Sequence, residues 1–89
     1  MARLIVVGRE MQDYSRMVDE WVREFERQTG REVEIISPDS GDGETLCRAY
    51  DIVEYPTILA LRDGDGSVLS TWRGQNLPTF NEVNYYMLK

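Results

Sequence analysis

The chain has 89 residues, enough for one domain and too few for two, so we expect a single domain over residues 1–89. Sixteen acidic against ten basic residues give a net charge of −6, and such a chain is not expected to bind nucleic acid. A single cysteine excludes internal disulfides, and the absence of histidine excludes a His-containing zinc site. No apolar run is longer than a strand, which argues against a membrane span. These features favour the cytoplasm.

The first part of the chain predicts a strand, a long helix and a second strand. Leu4–Val7 is a continuous aliphatic run, which is typical of a buried strand. Apolar residues then recur at helical spacing from residue 11 to residue 29, and Gly30 is placed to end this helix. The apolar stripe consists of Met11, Tyr14, Met17, Val18, Trp21, Val22 and Phe25. The other side offers ion pairs at four-residue spacing, Arg16 with Glu20 and Asp19 with Arg23. Alternation over Glu32–Ile36 predicts the second strand.

The middle of the chain predicts a short helix and a hairpin. Residues 37–43 are typical of a loop, and Glu44–Tyr50 can form a short helix. Thr57–Leu61 and Ser67–Trp72 predict two strands, joined by a turn at residues 63–66 because Asp-Gly steps supply the positive φ that such turns need. In the second of these strands, alternation places Val68, Ser70 and Trp72 on one face and Leu69 and Thr71 on the other.

The end of the chain predicts a last helix. Thr79 and Glu82 have the spacing of a capping box, and the residues after them carry an apolar stripe of Phe80, Val83 and Met87. The whole order is therefore βαβ, a short helix, a β-hairpin and a terminal helix. The strand–helix–strand unit should be parallel with a right-handed crossover, and the hairpin antiparallel.

One stretch resembles a known superfamily. Tyr50 to Leu61, with its Tyr55-Pro56-Thr57 step, is similar to the segment that leads into the proline strand of thioredoxins and glutaredoxins, and Trp72-Arg73-Gly74 is similar to their closing glycine. The resemblance implies a thioredoxin-like α/β fold, with a four-stranded mixed sheet and helices on both faces. It also implies a cis peptide bond before Pro56, whereas a trans proline at the start of an exposed strand is the alternative.

The resemblance also locates a site and shows what that site lacks. The two cysteines of the family lie between the first strand and the first long helix, where this chain has Gly8 and Met11. Without a thiol there, disulfide exchange at this position is impossible. The resemblance implies instead a groove in which the backbone of Tyr55 pairs with an extended peptide, bordered by Pro56, Thr57 and the residues from Gly8 to Met11. Arg9 at its mouth would favour an acidic ligand.

Cys47 is the only thiol in the chain. A free cysteine on a short helix is more often a small buried residue than a nucleophile. The alternative is a thiol-dependent redox protein or sensor that uses Cys47, with Arg48 favouring the thiolate. An enzyme is therefore the less favoured reading, and Cys47 is its only candidate catalytic residue.

No other pattern indicates a cofactor or a metal. Counting from Asp63, the positions at which a calcium loop needs glycine and glutamate hold Val68 and Gly74, so the turn fails as an EF-hand. We therefore expect no cofactor and no metal, and a protein or peptide as the partner. A third hypothesis is an adaptor whose terminal helix forms an interface or a homo-oligomer contact through Tyr85 and Tyr86.

Overall fold

A computed structural model describes residues 2–88 of the chain. Its elements are β1 (Ala2–Val7), α1 (Ser15–Thr29), β2 (Glu34–Ile36), α2 (Gly41–Tyr50), β3 (Thr57–Arg62), β4 (Val68–Arg73) and α3 (Phe80–Met87). The strands form one sheet in the order β2-β1-β3-β4, in which β1 and β2 are parallel and the remaining neighbours antiparallel. The predicted element order and the four-stranded mixed sheet are confirmed.

Alternation along the two central strands divides the core into two layers. Leu4, Val6, Ile58 and Ala60 face α1 and α3, and all four are buried. Their neighbours Ile5, Val7, Leu59 and Leu61 face the opposite side, where α2 covers them. Because β1 and β3 are buried on both faces, they are the near-continuous aliphatic runs of the sequence. The helices therefore lie on both faces of the sheet, as predicted.

The first helix is shorter than the sequence predicts. It begins at Ser15 rather than at residue 11, and Met11 has a φ of 59°, which a helix does not allow. The N–H of Gln12 donates to the Ser15 hydroxyl instead, so residues 9–14 form a turn in front of the helix. The predicted end at Gly30 is confirmed, since this glycine adopts the left-handed conformation and its N–H donates to the carbonyl of Glu26.

The second helix begins earlier than predicted. Ser40 is its N-cap and accepts a hydrogen bond from the N–H of Gly43, so Gly41 to Gly43 belong to the helix and not to the preceding loop. The two glycines at this point hid the helix start, because glycine is a poor helix former. Glycine is required at position 43 because a Cβ atom there would lie 1.7 Å from the carbonyl oxygen of Ser37.

A register shift in β4 overturns the predicted faces of this strand. Ala60 pairs with Ser70 but Leu61 pairs with Val68, so Leu69 is an extra residue in the ladder. As a result, Leu69 and Trp72 pack against the same core layer, although simple alternation assigns them to opposite faces. A single inserted residue changes the face of every residue beyond it.

The terminal helix confirms its predicted cap and stripe. Thr79 accepts a hydrogen bond from the N–H of Glu82, and Val83 and Met87 are buried in the layer shared with α1. Trp21 donates its indole N–H to the carbonyl of Pro78 at 3.0 Å, which ties α1 to the residues that enter α3. Within residues 2–88, no helix is long and apolar enough to cross a membrane.

Candidate binding site

The residues between β1 and α1 form a braced loop. The N–H of Gly8 donates to the carbonyl of Ile36 at 3.1 Å, and the N–H of Arg9 donates to the Tyr14 hydroxyl at 2.9 Å. The Ser15 hydroxyl donates to the carbonyl of Arg9 at 3.0 Å. These bonds satisfy backbone groups on both sides of the loop and fix its path across the end of the sheet.

The side chain of Arg9 joins three separate parts of the chain. Its Nε and Nη2 atoms donate to the two carboxylate oxygens of Asp39 at 2.9 and 3.3 Å. Its guanidinium carbon lies 4.8 Å from the ring centroid of Tyr55. The hydrogen bonds that Arg9 donates to Asp39, and the negative charge of that carboxylate, raise the pKa of Arg9. From the sequence we expected the charge of Arg9 to favour an acidic ligand. In the structure, Asp39 already neutralises this charge.

Asp39 is held in place by the turn that begins α2. Its N–H donates to the Ser37 hydroxyl at 3.2 Å, and the Ser40 hydroxyl donates to the carbonyl of Ser37 at 2.8 Å. The same Ser40 oxygen accepts from the N–H of Gly43 at 2.9 Å. This set of bonds places the Asp39 carboxylate opposite Arg9, even though the two residues are 30 positions apart.

The segment that enters β3 is held by hydrogen bonds to its backbone carbonyls. The Tyr55–Pro56 peptide bond is cis, and both Pro56 and Thr57 are buried. The carbonyl of Pro56 accepts from the N–H of Gly74 at 2.8 Å, and the Thr57 hydroxyl donates to the carbonyl of Glu54 at 2.5 Å. Within residues 2–88, the N–H and carbonyl of Tyr55 take part in none of the backbone hydrogen bonds of the turns, ladders or caps.

Cys47 lies behind Tyr55 on the α2 side of the sheet. It is half-buried, and its Sγ accepts from the Tyr55 hydroxyl at 3.9 Å. Burial raises the pKa of Tyr55, and this hydrogen bond acts in the same direction. Arg48 pairs with Glu44 at 2.7 Å, so the cation that the sequence placed beside the thiol is engaged elsewhere.

An apolar depression of about 460 Å³ lies on the α1 side of the sheet, beside the loop. We define it by the apolar side chains and the glycine that line it: Val6, Gly8, Met11, Tyr14, Val18 and Ile35. Met11 is 95% exposed and Ile35 is 52% exposed, although both are large and apolar. Side chains of this kind at the rim of a depression are typical of a binding surface.

Gly8 is where the depression meets the proline segment. A Cβ atom at this position would lie 3.7 Å from the Cβ of Pro56 and 3.3 Å from Cε1 of Tyr14. Of the predicted groove residues, Gly8, Arg9 and Met11 line the depression, whereas Tyr55, Pro56 and Thr57 do not. Tyr55 packs instead against the core layer on the α2 side of the sheet, so Gly8 is the lining residue whose neighbour is Pro56.

Three contributors to this site escaped sequence reasoning. The sequence places Tyr14 in the helix stripe, Ile35 in an ordinary strand and Asp39 in a loop. The alternation of Glu32–Ile36 does indicate that Ile35 faces away from its neighbours, but nothing in the sequence shows that its face stays open. No group of three or more Cys, Asp or Glu side chains that could hold a metal is found between residues 2 and 88.

The two terminal tyrosines differ in their surroundings. Tyr86 packs edge-on against Trp72, with ring centroids 5.7 Å apart, and it contacts the core layer under α3. Tyr85 is exposed and contacts Tyr86 with the ring centroids 5.1 Å apart. An interface through this helix would therefore present Tyr85, while Tyr86 already has a packing role.

Comparison with known proteins identifies the architecture. No protein-family model matches the sequence, and no curated protein matches it either. Among solved structures, thioredoxin from Fasciola hepatica superposes with a TM-score of 0.72 over 98% of this chain and 78% of its own, at 14% identity. The fold is thioredoxin-like. A thioredoxin from Thermus thermophilus gives a TM-score of 0.65 at 17% identity, covering 98% of this chain and 72% of its own. The identities are low, so the thioredoxin-like domain shares a fold with these proteins and its function needs a separate argument.

Proposed function

We propose that this thioredoxin-like domain binds an extended segment of another protein and performs no dithiol–disulfide exchange of its own. One observation carries the proposal. Where β1 leads into α1, the chain has no thiol, and the residues of this junction line an open apolar depression that reaches Pro56 at Gly8. The single cysteine lies on α2, and one thiol cannot form the intramolecular disulfide of a dithiol mechanism.

The geometry suggests how such a segment is held. Its backbone pairs with the free N–H and carbonyl of Tyr55, as in the addition of a strand to an exposed edge. The segment then crosses Gly8, and one of its side chains enters the depression between Tyr14 and Ile35. Met11, on the outer side of the loop, covers that side chain because a flexible thioether adapts to different apolar shapes.

The expected affinity is modest. Burying one leucine-sized side chain contributes about 1.5–3 kcal/mol, and two backbone hydrogen bonds contribute about 0.5–1.5 kcal/mol each. Association itself costs at least about 4 kcal/mol. These contributions leave at best about −2 kcal/mol, less than the about −4.1 kcal/mol of a millimolar complex, so a physiological partner must contact the domain over several residues.

The test is a titration of the ¹⁵N-labelled domain with a capped heptapeptide that has a central leucine between glutamines. We expect amide shifts that concentrate at Gly8, Met11, Ile35 and Tyr55. The Met11→Ala variant should bind several-fold more weakly, because the side chain that covers the ligand is lost. Since Met11 is exposed and lies in a turn, this change leaves the fold intact.

Val68→Ala is the matched control, because Val68 is also a large exposed apolar residue but lies in β4, away from the depression. It should bind the peptide as the unmodified domain does. Equal losses in both variants, or no shift at the site with leucine, phenylalanine or methionine at the centre of the peptide, would contradict the proposal. A separate assay of disulfide reduction should show no rate above that of the reductant alone.

A further inference from the structure

The charges around the depression are not balanced. Glu10 and Asp19 both line it, and neither side chain forms an ion pair or a side-chain hydrogen bond with another residue from 2 to 88. The ion pair that the sequence predicts between Asp19 and Arg23 is not among those formed within residues 2–88. The other predicted pair, Arg16 with Glu20, does form at 3.4 Å. Asp19 borders the depression instead. The basic residue of the lining, Arg9, is bound to Asp39.

We propose that the depression selects an apolar side chain that has lysine or arginine beside it in the bound segment. This inference rests on the proposed function and names the chemistry of its ligand. An apolar floor with two unpaired carboxylates at its border complements a cationic apolar segment and disfavours an acidic one. This proposal replaces the acidic ligand that we expected from Arg9 in the sequence with a basic one.

The first turn of α1 opposes this preference only in part. A helix N-terminus carries roughly half a positive charge, and α1 begins beside the depression with no acidic residue in its first turn. Two carboxylates carry two negative charges, so the local balance stays negative. Glu10 and Asp19 are also exposed at the depression, whereas the helix field falls off within one turn.

The geometry of an extended peptide fits this arrangement. Successive side chains of a strand project to opposite faces with a rise of about 3.3 Å per residue. A residue next to the inserted one therefore starts on the outer face of the peptide. Lysine and arginine have stems long enough to fold back along apolar surface and keep their charge at its border. A cationic side chain with a short stem would not reach the border of the depression. The preference therefore depends on the length of the stem as well as on the charge.

The test uses three capped heptapeptides that share a central leucine and differ in the two residues that flank it. These are lysine, glutamine or glutamate, and affinity is measured by ¹⁵N–¹H titration at low ionic strength. We expect the lysine peptide to bind about fivefold more tightly than the glutamine peptide, and the glutamate peptide more weakly than either. The preference should shrink at 0.5 M salt, because exposed charges are screened.

Variants assign the preference to the two carboxylates. In the Glu10→Gln, Asp19→Asn double variant, the lysine and glutamine peptides should bind equally, and the glutamine peptide should bind as before. The control is the Glu32→Gln, Asp63→Asn double variant, which changes the net charge equally at residues that do not line the depression. It should keep the preference.

The outcomes separate this inference from the function on which it rests. If all three peptides bind at the depression with equal affinity, the charge preference is wrong and peptide binding stands. If the control loses the preference as much as the Glu10, Asp19 variant does, net charge is the cause and the inference is wrong. If none of the peptides binds, the proposed function is contradicted and the inference falls with it.

Discussion

Gly43 is the residue whose replacement tests the construction of the site most directly. In an ordinary helix, alanine is more stable than glycine by about 1 kcal/mol. At position 43 an added Cβ would lie 1.7 Å from the carbonyl oxygen of Ser37, and 2.9 Å from the Ser40 hydroxyl oxygen. Because the first of these neighbours is backbone, the turn at residues 37–40 must move for an alanine to fit.

The magnitude follows from three contributions. The contact must open from 1.7 Å to at least 3.0 Å, and overpacking of this kind costs typically about 1–3 kcal/mol. The movement disturbs the Ser40 cap, which is worth about 1 kcal/mol. The intrinsic preference for alanine offsets about 1 kcal/mol. We therefore expect Gly43→Ala to lower the free energy of unfolding by about 1–3 kcal/mol.

Gly41→Ala provides the matched control, since it is the same change in the same helix. A Cβ at position 41 meets nothing within 4 Å. Thermal unfolding followed by circular dichroism should give, for Gly41→Ala, a melting temperature equal to that of the unmodified domain or higher, because alanine is the better helix former. For Gly43→Ala it should be lower by roughly 4–8 °C per kcal/mol. Equal melting temperatures for the two variants would refute the close approach of Gly43 to Ser37. They would also contradict the arrangement of the turn at residues 37–40 that holds Asp39.

Three further predictions concern single contacts. Thr57→Val should lower the free energy of unfolding in urea by about 1 kcal/mol, because the carbonyl of Glu54 loses its donor, and an unchanged midpoint would show that this bond contributes nothing. The hydrogen bond from Arg3 holds the pKa of Glu34 below its ordinary 4.5, so the stabilisation from this pair is present above pH 4.5 and is lost as the pH falls through the lowered pKa. Arg3→Gln should raise that pKa toward 4.5 in an NMR titration and flatten the acid dependence, and no change would mean that the pair is not formed in solution. Native Cys47 should react with iodoacetamide at least roughly tenfold more slowly than in urea, since it is half-buried behind the Tyr55 ring, and rapid native labelling would favour the thiol-dependent alternative.

The element types could be predicted because each depends on local periodicity. The aliphatic runs of β1 and β3, the capping box of α3 and the glycine after α1 are all short-range patterns, and each has the structure that the pattern indicates. The helix starts were wrong where side-chain hydrogen bonds compete with helical ones, at Ser15 and Ser40. The faces of β4 were wrong because a one-residue bulge is invisible to an alternation pattern.

The binding site depends on contacts between distant residues, and these only the tertiary structure decided. The sequence by itself determined that no thiol lies between β1 and α1, and that Gly8, Arg9 and Met11 lie in that segment. It did not determine that Arg9 is neutralised by Asp39, 30 residues away, because an acidic turn and a basic loop are each compatible with many partners. The open face at Ile35 likewise results from the order of the strands, which places β2 at the sheet edge. Local patterns select the elements, whereas the charge and shape of the site arise where separate elements meet.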